Sequence, residues 1–399
     1  MEIKMDLKKY ADVMIFALKS ARRGKFKKGE NILISYDAPA TPLAEEIYAK
    51  LIEQGYNALP RAALSEKMAK TFYIKASESQ LKFTAPWEKI YHQNIAGMLA
   101  LRAPQDLTNL KEADPKKIAL AALTRKPLRD IWDKMEERGN FSWTLCNFPT
   151  PGLAKQAGLS LKEYEAQIVK ACFLDEKDPS KKFAEVMGQI GEISKRLSAL
   201  PIVSLRTQSK DMDFEITLGQ NRRFISGGGC NVPSFEIFTS PDWRGTKGIY
   251  YCDLPSFRSG NYVKGIKLEF KAGRVIKATA QEGEAYLKKM LLMDIGAAQI
   301  GEYSLTDTRF SKIDRFMADT LYDENFGGKH GNCHVAVGSS YSDTYTGNIA
   351  KMTKALKKQL GYNQSALHWD LINTQDKLVT AGLKNGKRVT IYEKGRFVI

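Results

Sequence analysis

A strand–helix–strand rhythm near the N-terminus limits the fold more than any other feature. Residues 31–36 (NILISY) form a short apolar run, the mark of a buried strand. Thr41 then caps a helix with Pro42 at its first position, and Leu43, Ile47, Leu51 and Ile52 line one face. Gly55 ends that helix, and residues 58–64 read as the next strand. A strand that returns through a helix predicts a parallel sheet with helices on its faces. Residues 10–21 add a mostly apolar helix, and 143–148 (WTLCNF) a strand stopped by Pro149 and Pro151. Ser160 and Glu163 are spaced as a capping box, and 181–200 is one more long helix.

Around residue 200 the texture changes. Residues 213–217 and 222–225, a hairpin of 262–270 with 274–280, and the closing pair 388–393 with 396–399 are strand-like. Turn residues stand between or beside them at Lys271-Ala272-Gly273, Asn385-Gly386 and Lys394-Gly395. Helices are expected at 282–293, 315–321 and 348–360. The predicted class is α/β: an N-terminal parallel-sheet α/β domain over 1–205, then an α+β C-terminal domain with mainly antiparallel strands over 206–399.

With 43% apolar and 27% charged residues, the chain is neither disordered nor fibrous. No apolar run is long enough to span a membrane, and residues 1–9 alternate charge with bulk instead of forming a secretory leader. A cytoplasmic location and no membrane partner are expected. Five cysteines without CxxC spacing suit reduced thiols. A net charge of +16 raises nucleic acid as a partner. The Lys and Arg residues are spread along the whole length, however, with no RNP, helix-turn-helix or zinc-finger pattern, so a solvated basic surface is expected. Gly227-Gly228-Gly229 lacks the Lys-Ser/Thr of a phosphate loop and reads as a flexible turn.

The chemistry concentrates in the second half. Of four histidines (His92, His330, His334 and His368), three lie within 40 residues of one another. On a strand, His368 and Asp370 face the same way. Glu324 and His334 are joined by a Gly-rich link that lets the chain double back. Glu302 and Glu236 are acids inside otherwise apolar strand-like runs, where a carboxylate is excluded unless paired or metal-bound. Each alone is better explained by a simple salt bridge. Four such anomalies in one domain favour metal.

Glu236 with Thr239-Ser240-Pro241, Gly301-Glu302, Asp323-Glu324-Asn325, Cys333-His334 with Gly338, Tyr341, and His368-x-Asp370 occur in that order. In this the chain resembles the M29 metallopeptidases, the aminopeptidase T / aminopeptidase S family. The likeness extends to 270–280 with Asp294–Ala297, and to 143–151 with 157–165. It implies six metal ligands (Glu236, Glu302, Glu324, His334, His368 and Asp370) for two divalent ions, Zn, Co or Mn. Glu302 would be shared by both ions and Tyr341 would be the site phenol. It further implies hydrolysis of N-terminal residues from peptides by a homodimer that encloses the site. One departure stands out: the link from Glu324 to His334 is longer than the family's short form. His330 is therefore a second candidate beside His334, which the CHVAVG match favours. The general base lies open between Glu302 and Glu324. A nucleic-acid-binding protein and a two-metal phosphoesterase are the alternative readings; the resemblance alone favours the peptide bond.

Overall fold

The computed structural model describes residues 5–399; the first four, part of the stretch read above for a leader, lie outside them. The chain divides into two compact units. The first comprises Met1–Val186 with two later segments, Gly228–Ser234 and Met317–Leu321; the second comprises Met187–Gly227, Phe235–Phe316 and Tyr322–Ile399.

In the first unit, helix α1 (Leu7–Ala21) starts where the Asp6 carboxylate accepts the amides of Lys8 and Lys9, donors that a helix start leaves free. Strand β1 (Asn31–Tyr36) leads through helix α2 (Thr41–Glu53) to β2 (Asn57–Ala62), followed by β3 (Gly97–Arg102) and β4 (Ser142–Asn147). The second unit opens with β5 (Ile202–Ser209), β6 (Asp213–Thr217) and β7 (Ile225–Ser226). The chain returns to the first unit for β8 (Asn231–Val232), then goes back for β9 (Glu236–Thr239), β10 (Asp242–Cys252), β11 (Ser256–Arg258) and β12 (Asn261–Val263). Strands β13 (Ile266–Lys271), β14 (Arg274–Thr279), β15 (Ile300–Thr306), β16 (Asn332–Gly338) and β17 (His368–Asn373) follow. The last are β18 (Lys377–Leu383), β19 (Arg388–Glu393) and β20 (Arg396–Phe397).

The first sheet has the order β2-β1-β3-β4-β8, and every pair in it is parallel. Helix α1 buries Tyr10, Val13, Met14, Ala17 and Leu18, and packs on β3 and β4. Val13, Met14 and Leu18 each contribute about 1.5–3 kcal/mol by leaving water. Gly229 (φ +95°) explains part of the glycine triplet: a Cβ there would lie 2.5 Å from the Ala17 carbonyl oxygen. The second unit holds an eight-stranded antiparallel sheet, β14-β13-β10-β6-β5-β18-β19-β20, and a five-stranded one, β17-β16-β15-β9-β7. The mixed α/β class with a parallel and mainly antiparallel sheets is thus the one expected.

Several expected elements are shorter or broken. The strand over 262–270 divides at Gly265 (φ +62°), and its first part pairs with β11 instead. Of the helix over 315–321 only Thr320–Asp323 forms, because Ala318 takes φ +53°, outside the helical region. The helix over 348–360 breaks at Met352; Thr353 caps the new start, its hydroxyl accepting the Leu356 amide. Residues 222–225 contribute only their last residue to a strand, and Arg222 forms an isolated bridge with Tyr345 instead. No helix among the described residues is long and apolar enough to cross a membrane.

Candidate metal centre

Four strands of the five-stranded sheet bring the acids and histidines together. Glu236 on β9 stands opposite Thr306 of β15, and Ser304 of β15 stands opposite His334 of β16. On the far side, Asp370 and His368 of β17 face Ala336 and Gly338 of β16. The β15–β16 register shifts between Ile300 and Glu302, an irregularity that re-aims the Glu302 side chain. Glu324 arrives from the turn after Thr320–Asp323. Its carbonyl accepts the Asn332 side-chain amide at 2.9 Å and the Thr306 hydroxyl at 3.2 Å.

The side chains converge. His334 Nε2 lies 3.2 Å from Glu302 Oε1 and 3.3 Å from Glu236 Oε2. His368 Nε2 lies 3.3 Å from Asp370 Oδ1 and 3.6 Å from Glu302 Oε2. Three groups each place a donor atom within 4.8 Å of one another: Glu236–Glu302–His334, Glu302–His368–Asp370 and Glu324–His334–Asp370. All six candidates appear in them, and Glu302, His334 and Asp370 each join two of the groups. Glu236, Glu302, Glu324 and His334 are buried, while His368 and Asp370 keep side-chain exposures of 23% and 13%. The site therefore opens beside β17.

The electrostatics are those of a cation-binding pocket. Burial pushes the Glu302 carboxyl up to about 7, against the pull of His334. Burial, then the negative charges of Asp370 and Glu236, hold Glu324 well above the ordinary range. Burial works against charge on His368, yet Asp370 and Glu302 raise it to about 9. For His334, too, the neighbouring Glu236 and Glu302 outweigh burial and raise it well above its usual value. Burial would raise Asp370, but His368 beside it brings it down to about 2. Four carboxyl groups face two imidazoles, and Glu302 and Glu324 resist ionisation beside the other two acids, a cost that a bound cation would offset. His334 Nδ1 is buried with no hydrogen-bond partner. His368 Nδ1 donates to the Ser339 carbonyl at 2.9 Å, which leaves Nε2 free to act as a ligand. An oxygen-rich set with two ring nitrogens fits divalent Zn, Co or Mn.

Tyr341 lies beside the cluster, its ring 4.8 Å from that of His368 and 5.9 Å from that of Phe238, and the remaining candidates fall elsewhere. His330 points away, its Nδ1 3.5 Å from Asp376. Cys333 is buried, and burial pushes its thiol up to about 11. His92 packs on Trp132, with ring centroids 4.3 Å apart. Sequence reasoning missed Ser304, whose hydroxyl donates to Glu236 Oε2 at 3.0 Å, and Asn332. Two small polar residues within the buried runs of β15 and β16 were the available signal.

The pattern of the family described as "Thermophilic metalloprotease (M29)" matches residues 3–397. The chain belongs to the M29 family. Among similar proteins, aminopeptidase 2 of Geobacillus stearothermophilus is 27% identical over 396 residues, covering 92% of this M29 chain and 93% of the relative. Aminopeptidase PepS of Streptococcus thermophilus is 30% identical over 245 residues, a match that spans 58% of each protein. The solved structure of wild-type AmpT from Thermus thermophilus superposes with a TM-score of 0.79 at 22% identity, covering 98% of this chain and 99% of that one. That likeness shows a shared fold.

Proposed function

We propose that this chain is a metal-dependent aminopeptidase that removes N-terminal residues from peptides. Glu236, Glu302, Glu324, His334, His368 and Asp370 would hold two divalent ions, Zn, Co or Mn, and Glu302 would be the carboxylate shared by both. The observation that carries the reading is the set of three overlapping donor groups, in which Glu302, His334 and Asp370 each belong to two. Membership of a metalloprotease family and relatives named as aminopeptidases support the peptide bond as substrate. Divalent cations held there would supply polarisation of the scissile carbonyl and a lowered pKa for the attacking water. The protein's own groups do the rest. The Tyr341 phenol, at the open edge beside His368, donates a hydrogen bond to the developing oxyanion. Glu302 or Glu324 passes the water's proton to the leaving amine. A carboxylate of the same cluster pairs with the substrate's α-amine.

The reading extends to a cytoplasmic homodimer. Five free cysteines suit a reducing compartment. Elemental analysis of the purified protein, with an aminoacyl-nitroanilide assay of wild type, Glu302→Gln and His368→Ala, tests the function; light scattering reads the oligomer. Bound divalent metal in wild type and at least about a hundredfold loss of activity in both variants are expected. A wild type without metal, and variants that cleave as fast as it does, sink the proposal.

A further inference from the structure

Behind the candidate metal centre, the ligand-bearing sheet is met by buried hydroxyls. Tyr250, on β10 of the eight-stranded sheet, is fully buried. Its hydroxyl reaches two carbonyl oxygens, that of Cys333 at 2.9 Å and that of Leu371 at 2.6 Å. Cys333 directly precedes His334 on β16, and Leu371 directly follows Asp370 on β17. One phenol thus spans the two strands, a single residue away from a ligand candidate on each. It has one proton for two acceptors, so both carbonyls are held to one point. Other buried tyrosines of this layer act differently. Tyr303 meets the Thr207 hydroxyl at 2.6 Å, and Tyr392 donates to the Thr306 carbonyl at 2.7 Å; neither joins β16 to β17.

We propose that Tyr250 is a positioning residue whose hydroxyl sets the separation of β16 and β17, and with it the spacing of His334 from Asp370. The inference rests on the metal-site reading given above. Its physical basis is geometric. Strands joined only by their ladder can shear against each other, and a hydroxyl bonded to carbonyls of both strands, one residue from a candidate ligand on each, resists that shear. The contact is out of reach of water, so losing it is not made good by solvent.

The test uses full-length protein freed of metal by chelation and titrated with Co(II), read by the ion's visible absorption band. Wild type is compared with Tyr250→Phe, which removes one oxygen and keeps the ring. Tyr10→Phe is the control: Tyr10 is equally buried, and its hydroxyl donates to the Asn147 carbonyl at 2.8 Å in the first unit. Both variants should lose a few degrees of thermal midpoint when metal-free. Only Tyr250→Phe should weaken Co(II) binding, by about tenfold, and alter the absorption band, as loss of a group that orients ligands does. Tyr10→Phe should bind within about twofold of wild type. Wild-type affinity and spectrum in Tyr250→Phe would overturn the inference alone, as would equal weakening in Tyr10→Phe. Failure of wild type itself to take up Co(II) would overturn the metal reading and this inference with it.

Discussion

Lys377 shows how much a single buried charge costs and how it can be read. It is 3% exposed, and its ammonium lies 3.4 Å from the carbonyl oxygens of both His330 and Gly331. Burial lowers its pKa to about 8, against the favourable pull of Cys333, Asp253 and Asp376. An unfolded lysine titrates near 10.4. Between those two values the unfolded chain binds the proton and the folded chain does not, so this group's contribution to stability rises with pH. Below pH 8 both states are protonated, and the buried ammonium costs on the order of 3 kcal/mol. The buried thiols of Cys146, Cys252 and Cys333 titrate in the opposite sense, because burial raises them all. The lysine is therefore seen only as a difference between variants. Wild type should gain about 2 kcal/mol on Lys377→Met between pH 7.5 and 9.5 in urea unfolding. A difference that stays flat across that window would show that the ammonium is not the titrating group.

At the scale of elements, the Gly-rich link between Glu324 and His334 is the least ordinary piece. It is longer than the family's short form, and its turns are tied by backbone hydrogen bonds. The amides of Gly327 and Gly328 both donate to the Ile313 carbonyl, and that of Gly331 donates to the Gly327 carbonyl at 2.7 Å. Gly331 sits at φ +57°, where a Cβ would come 2.1 Å from the Tyr392 hydroxyl and 2.3 Å from the Thr306 carbonyl oxygen. Gly331→Ala should cost about 2–4 kcal/mol by urea unfolding, combining left-handed strain with overpacking. Gly386→Ala, also at positive φ but with nothing within 4 Å of the new methyl, should cost only about 1–2 kcal/mol. Equal losses would mean that the link has room to move. What the sequence disclosed at this scale follows from local rules. The 31–36 strand and the Ser160–Glu163 capping box were legible because a short apolar run and a cap act over a few residues. The shortened helix at 315–321 was not, since Ala318 leaves helical geometry where the chain crosses into the first unit.

At the scale of the whole molecule, the identity of the candidate ligands was legible and their meeting was not. An acid in an apolar strand declares itself in one dimension. That Glu236 lies beside β15, and that His334 and not His330 reaches the carboxylates, depends on pairings between strands far apart in the chain. The same arrangement makes metal binding a property of one unit. All six candidates belong to the second unit, on β9, β15, β16, β17 and the turn at Glu324. A cation that binds only the folded site adds RT ln(1 + [L]/Kd), about 2.7 kcal/mol at a hundred times Kd. Without it, the four strands lose that margin first. Chelation should therefore raise amide exchange in β9, β15, β16 and β17 by about a hundredfold, while β1 and β3 of the parallel sheet exchange at an unchanged rate. Hydrogen-exchange mass spectrometry with and without chelator reads this strand by strand. Acceleration that is uniform across both sheets, or absent from β15–β17, would mean that the cation does not clamp these strands.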